Sequence, residues 1–184
     1  MHRIMLVDDE TNILHALRRA LPHELHYEGA LFPITVESFS EPEAALRRVT
    51  EAAFDVVIAD YRMPAMNGVE FLKGLKAIQP QTARIIVSGY ADLQGLVGAI
   101  NEAQIFRFIA KPWTDYELNA ALAQALAYRA IMLENQRLAD EVRVQRGQLS
   151  RQAMELRRLE EENPGITRVN WGPDGSILME GWDE

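Results

Sequence analysis

Cysteine is absent from the 184 residues, which excludes disulfide frameworks and thiolate metal sites. An excess of basic charge is absent too. The 27 acidic and 19 basic residues give a formal charge of −8 and a pI near 5.1, where nucleic-acid-binding proteins usually carry a basic patch. No apolar run approaches the ~20 residues of a membrane span. Residues 1–7 are too short for a secretory signal, and acids follow them at once. These absences lead us to expect a soluble, cytoplasmic protein that contacts neither membrane nor nucleic acid. What is present is 48% hydrophobic content, enough for a core. The length suits one domain of about 120–150 residues plus an appendage.

Residues 56–68 (VVIADYRMPAMNG) organise the rest. Val56, Val57, Ile58 and Ala59 run straight into Asp60, and so unbroken an apolar stretch reads as a strand buried on both faces. A turn signal follows, and a helical pattern starts after Gly68. The same alternation recurs along the chain. Residues 3–7 form a short strand ending in Asp8-Asp9-Glu10, and residues 13–25 place Ile13, Leu14, Leu17, Leu21 and Leu25 at helical spacing. Residues 33–39 alternate like a half-exposed strand near a sheet edge. Ser40 with Glu43 has capping-box spacing and would open a helix reaching about Ala52. A helix over 68–79 stops at Pro80, and a strand over 84–87 ends in Ser88-Gly89-Tyr90. The next helix, 92–103, contains Gly95 and Gly98, each costing roughly 1 kcal/mol against alanine. A fifth strand, 105–110, ends in Lys111-Pro112-Trp113, and Thr114 caps the last helix.

Five βα units imply an α/β fold with a doubly wound parallel sheet. Right-handed crossovers bring every strand's C-terminal end to one side, where open α/β sheets keep their ligand sites. Asp8, Asp9, Asp60, Ser88 and Lys111 then converge on a single crevice. Alone, each is ordinary loop chemistry; at four strand ends together they are a specific signal. Adjacent carboxylates also suit a hard cation such as Mg²⁺, which needs few protein oxygens.

With Asp8-Asp9, Asp60 in ADYRMPAMNG, Ser88-Gly89 and Lys111-Pro112, residues 1 to about 127 resemble the CheY-like receiver domain of two-component response regulators. The resemblance implies a flavodoxin-like five-stranded (βα)5 sheet of order 2-1-3-4-5. It makes Asp60 the phosphoacceptor for a sensor histidine kinase or phosphotransfer protein. Asp8, Asp9, Asp60 and the backbone carbonyl of Arg62 would hold Mg²⁺ or Mn²⁺, and Lys111 and Ser88 would contact phosphoryl oxygens. Phe108, three residues before the lysine, would be the aromatic that turns inward. The Lys111-Pro112 bond would be cis. Arg62 and Tyr90 would tune how fast the phosphate is lost. On this reading the chain is no enzyme beyond its own phosphorylation and dephosphorylation. A Mg²⁺-dependent phosphohydrolase usually sets nucleophile and second acid two residues apart after the first strand, whereas Asp8 and Asp9 are adjacent.

A receiver's last helix should stop near Tyr128, but no stop signal appears before Asn163-Pro164-Gly165. From Tyr128 a heptad places Tyr128, Asn135, Val142, Leu149 and Leu156 at a, and Ile131, Leu138, Gln145, Gln152 and Leu159 at d. An asparagine at a fixes register and two-strandedness, so residues 128–162 are expected to be a helical stalk, dimerising in parallel through 128–159, with a single long helix folded back on its own domain as the alternative. Glu141 and Arg146 would pair across the dimer, while Glu155 and Glu160 would repel. Residues 163–184 form an acidic tail in which Pro-Asp-Gly signals a hairpin turn, with Trp171 and Trp182 as anchors. Output would pass through a protein effector in trans, or this stretch could be the N-terminal part of a longer regulator.

Overall fold

The computed structural model describes residues 1–89 and 102–162. Tyr90, nearly all of the expected 92–103 helix and the tail hairpin lie outside these residues. β4 (Val56–Asp60) is buried along its whole length, and its alternation explains why it is apolar throughout. Val56 and Ile58 face one core, and Val57 and Ala59 face the other. β1 (His2–Val7) divides in the same way, with Ile4 and Leu6 against Met5 and Val7. The first core is closed by Leu14 and Leu17 of α1 (Thr11–Ala20) and by Leu118 and Leu122 of α4 (Asp115–Glu162). The second is closed by Ala45 and Val49 of α2 (Pro42–Glu51) and by Phe71, Leu72 and Leu75 of α3 (Gly68–Ile78). Each such large side chain contributes about 1.5–3 kcal/mol on full burial.

Five strands run parallel in the order β3 (Ala30–Phe39), β1, β4, β5 (Ala83–Gly89), β6 (Arg107–Lys111). A sixth, β2 (Glu24–Tyr27), pairs antiparallel with β3, so the sheet is mixed and β2 is its edge. This corrects the expectation of five strands and of a helix over 13–25. Helix α1 ends at Ala20 because Leu21 precedes Pro22 and takes extended backbone (φ −87°, ψ 123°), as pre-proline residues do. Leu25 still enters the core, but from a strand. The β2–β3 hairpin turns on Glu28 and Gly29, both at positive φ (48° and 80°), with Tyr27 opposite Ala30. That is the two-residue type I′ geometry matched to strand twist.

Ser40 is not the cap of α2. The N-cap is Glu41, without a side-chain cap bond, because Pro42 takes the first helical position. Two other helix starts do carry full capping boxes. Asn67 Oδ1 accepts from the Val69 and Glu70 N–H groups while Glu70 accepts from Asn67 N–H. Thr114 and Glu117 exchange the equivalent bonds at the start of α4.

The chain divides into two compact units, Met1–Glu134 and Asn135–Glu184. In the first, Tyr128 and Arg129 of α4 still touch the body. The Tyr128 ring lies 5.2 Å from that of Phe106, and Arg129 pairs with Asp55 at 2.5 Å. In the second, helix runs to Glu162, with Leu138, Val142, Leu149 and Leu156 exposed by 45–64%. No helix among the described residues is long and apolar enough to cross a membrane.

Candidate functional site

Asp60 ends β4 and Asp8 follows the last residue of β1, so the pairing of these strands (Val7 opposite Ala59) brings the two carboxylates side by side. Both are buried, at 6% and 1% exposure. Lys111 ends β6 and reaches back across the rim. Its Nζ donates to Asp8 Oδ2 at 3.0 Å and pairs with Asp60 Oδ1 at 2.5 Å. The other oxygen of each carboxylate is used within its own loop. Asp60 Oδ2 accepts the Arg62 N–H at 2.7 Å, and Asp8 Oδ1 accepts the Glu10 N–H at 2.9 Å. Both are turns in which an aspartate bonds the backbone two residues on.

Two carboxylates therefore share one ammonium. Burial is the strongest influence on Asp8 and pushes its carboxyl above the ordinary aspartate value. The Glu10 N–H and Lys111 pull the other way, and the Asp60 charge adds to the rise. For Lys111, burial alone would lower the pKa. The hydrogen bonds and charges of Asp60 and Asp8 outweigh it and hold the ammonium above the usual lysine range.

Ser88 is buried on β5, one residue past Val87, the register partner of Asp60. Phe108 sits opposite Ile86 on β6 and packs, half-buried, against the second core. The Lys111–Pro112 bond is cis. Asp9 is exposed in the loop before α1. Arg62 contributes its N–H, a role that the sequence reading, concerned with its carbonyl, did not include. Tyr90 lies outside the described residues. Among the described residues no group of three or more Asp, Glu or His side chains forms a metal cage. A hard divalent cation needs less: one or two carboxylates, with waters completing the shell. A rim with more carboxylate than ammonium suits such an ion.

Asp8 and Asp60 at the ends of two central strands, with Lys111 of a third between them, thus lie together at one rim of the sheet. The sequence model described as the response regulator receiver domain matches residues 4–123. The chain belongs to that family. Its receiver is 36% identical over 140 residues to the hydrogenase transcriptional regulatory protein HoxA of Cupriavidus necator, covering 76% of this chain but 27% of the relative. Transcriptional regulatory protein FixJ of Bradyrhizobium diazoefficiens is 29% identical over 155 residues, covering 83% of this chain and 71% of its own. Among solved structures, a response regulator receiver domain from Clostridium thermocellum is 30% identical with a TM-score of 0.61, over 72% of this chain and 99% of that one. The receiver thus spans about a quarter of the length of HoxA.

Proposed function

We propose that this receiver is a phosphorylation switch whose acceptor is Asp60. The observation that carries the reading is the single Lys111 ammonium held between Asp60 and Asp8. A carboxylate oxygen of Asp60 forms a bond to phosphorus while the bond from phosphorus to the donor breaks. The electron pair leaves with the donor, a phosphohistidine of a sensor kinase or phosphotransfer protein. Positioning and charge neutralisation supply most of the catalysis of such a transfer. Lys111 brings a compact charge to one phosphoryl oxygen, and the Ser88 hydroxyl donates to another. A Mg²⁺ or Mn²⁺ ion on Asp8, Asp9, Asp60 and the Arg62 carbonyl would neutralise the remaining charge. The added group carries about −1.5 to −2 charges. It would draw Ser88 toward it and let Phe108 turn inward into the space left behind, shifting a two-state surface. The chain performs no chemistry on other substrates.

The output we assign is protein contact. The exposed stripe of Leu138, Val142, Leu149 and Leu156 has coiled-coil spacing, which supports a parallel homodimer through 128–159 that engages an effector in trans. The small share of HoxA covered here favours a second reading, in which this receiver is one module of a longer transcriptional regulator. The intact mass of the natural gene product separates the two.

The acceptor is tested by labelling with acetyl phosphate and Mg²⁺. Asp60→Asn abolishes the label; a variant that still labels overturns the assignment. Light scattering with and without beryllofluoride tests the dimer, and a monomer in both states removes it.

A further inference from the structure

Gly68 opens α3 against the backbone of the acceptor strand. A methyl group on its Cα would lie 2.1 Å from the Asp60 carbonyl oxygen, 3.0 Å from its carbonyl carbon and 3.1 Å from the Tyr61 Cα. All three are main-chain atoms, so no change of rotamer makes room. Both sides of the contact are pinned. The first turn of α3 is fixed by the Asn67–Glu70 capping box and by the Gly68 N–H, which donates to the Tyr61 carbonyl at 2.9 Å. The end of β4 is held from the opposite side by the Tyr61 N–H, which donates to the Val87 carbonyl of β5 at 3.0 Å. The Asp60 peptide is caught between helix start and neighbouring strand, with room for a hydrogen and nothing larger.

We propose that Gly68 is a positioning residue for phosphoryl transfer. The bare first turn of α3 is the wall that sets where the Asp60 carboxylate stands relative to Lys111 and Asp8. The proposal rests on Asp60 being the acceptor. A side chain at position 68 forces the helix start or the Asp60 peptide back by about 1 Å, the misplacement that can cost a reacting pair 10²-fold. The loss falls on the rate at saturating donor. The donor concentration giving half that rate changes little, because Gly68 contacts no donor.

Gly74 supplies the control. It lies in the same helix, and a methyl there meets only the Leu46 side-chain methyls, at 3.3 and 3.5 Å, which can give way. Labelling rates of the full-length chain are measured against acetyl phosphate concentration with Mg²⁺ for wild type, Gly68→Ala, Gly74→Ala and Asp60→Asn. Urea titrations of each are run alongside. The expected result is a folded Gly68→Ala chain whose saturating rate is down by 10- to 100-fold, with Gly74→Ala within twofold of wild type. A Gly68→Ala chain as fast as wild type overturns the proposal. So does a loss shared by both glycine variants in proportion to their lost stability. Labelling that persists in Asp60→Asn overturns the acceptor assignment instead, and the proposal with it. Should Gly68→Ala fail to fold, Asn67→Ala unpins the same turn without adding an atom. A severalfold fall in its saturating rate supports the wall, and an unchanged rate overturns it.

Discussion

At the N-terminal rim of the sheet Asp55 is saturated by its neighbours. Its Oδ2 accepts the Arg3 N–H at 2.7 Å, and its Oδ1 pairs with Arg129 at 2.5 Å. Gln79, beside it, is equally committed. Its Nε2 donates to the Val49 and Ala52 carbonyls at 2.6 and 2.7 Å, and its Oε1 accepts from the Phe54 N–H and the Thr82 hydroxyl at 2.9 and 3.1 Å. At the opposite rim Asp8 and Asp60 divide one lysine between them. Both rims give each carboxylate oxygen a partner, but at the first one carboxylate meets one guanidinium and at the second two carboxylates meet one ammonium. A matched polar network stabilises a fold; an unmatched one keeps capacity for a ligand. That difference, rather than the presence of carboxylates, is what favours the C-terminal rim as the candidate site.

The contrast predicts that substitutions at the matched rim cost stability without touching the chemistry. Gln79→Ala should have the largest effect. It orphans the Phe54 N–H and two carbonyls, at about 1–3 kcal/mol for each buried group, softened where water can enter. We expect a loss of about 2–4 kcal/mol in urea titration, with the labelling rate of the folded fraction unchanged. Asp55→Ala should follow, at about 2–3 kcal/mol, since it leaves the half-buried Arg129 without its carboxylate and the Arg3 N–H without its acceptor. If either variant slows labelling at saturating donor while still folded, the rims are coupled and the division drawn here fails.

That Asp8, Asp60 and Lys111 come together at one rim is legible in the sequence because it follows from pattern. Apolar runs fix the strands, right-handed crossovers fix which ends meet, and the residue after each run is then at the rim. The β2–β3 hairpin escaped for an equally specific reason. Leu21 and Leu25 stand at i,i+4 and extend the helical stripe of α1, although Pro22 between them already ends it. The turn itself uses Glu-Gly rather than Asn-Gly or Asp-Gly, the strong type I′ pairs, and a glutamate at φ 48° is uncommon. Ser40 had the right spacing for a cap but stood one residue too early for a helix whose start Pro42 sets. The Arg62 N–H on Asp60 and the void that Gly68 fills were invisible for another reason. A backbone donor and a missing side chain carry no residue-type signal about what they face.

The smallest expected effect has the opposite sign to the others and separates the two rims most cleanly. The Asp8 carboxyl is held above the ordinary aspartate value, chiefly by burial, so its ionised form is less welcome in the folded chain than in the unfolded one. At neutral pH that charge withdraws stability. As pH falls through the raised folded pKa, protonation restores it, and the recovery is complete only below the ordinary value of 3.8. Asp8→Asn imitates the protonated state while Lys111 keeps Asp60. It should therefore stabilise the chain at pH 7 in chelator, and the gain should shrink as the pH is lowered toward 4. Asp55→Ala should show no such gain at any pH. Adding Mg²⁺ should then narrow the gap between wild type and Asp8→Asn, because an ion that binds only the folded chain stabilises it and the substitution removes one of its carboxylates. If Asp8→Asn instead destabilises the chain in chelator at pH 7, the carboxylates of the C-terminal rim are as well matched as Asp55, and the contrast between the rims is lost.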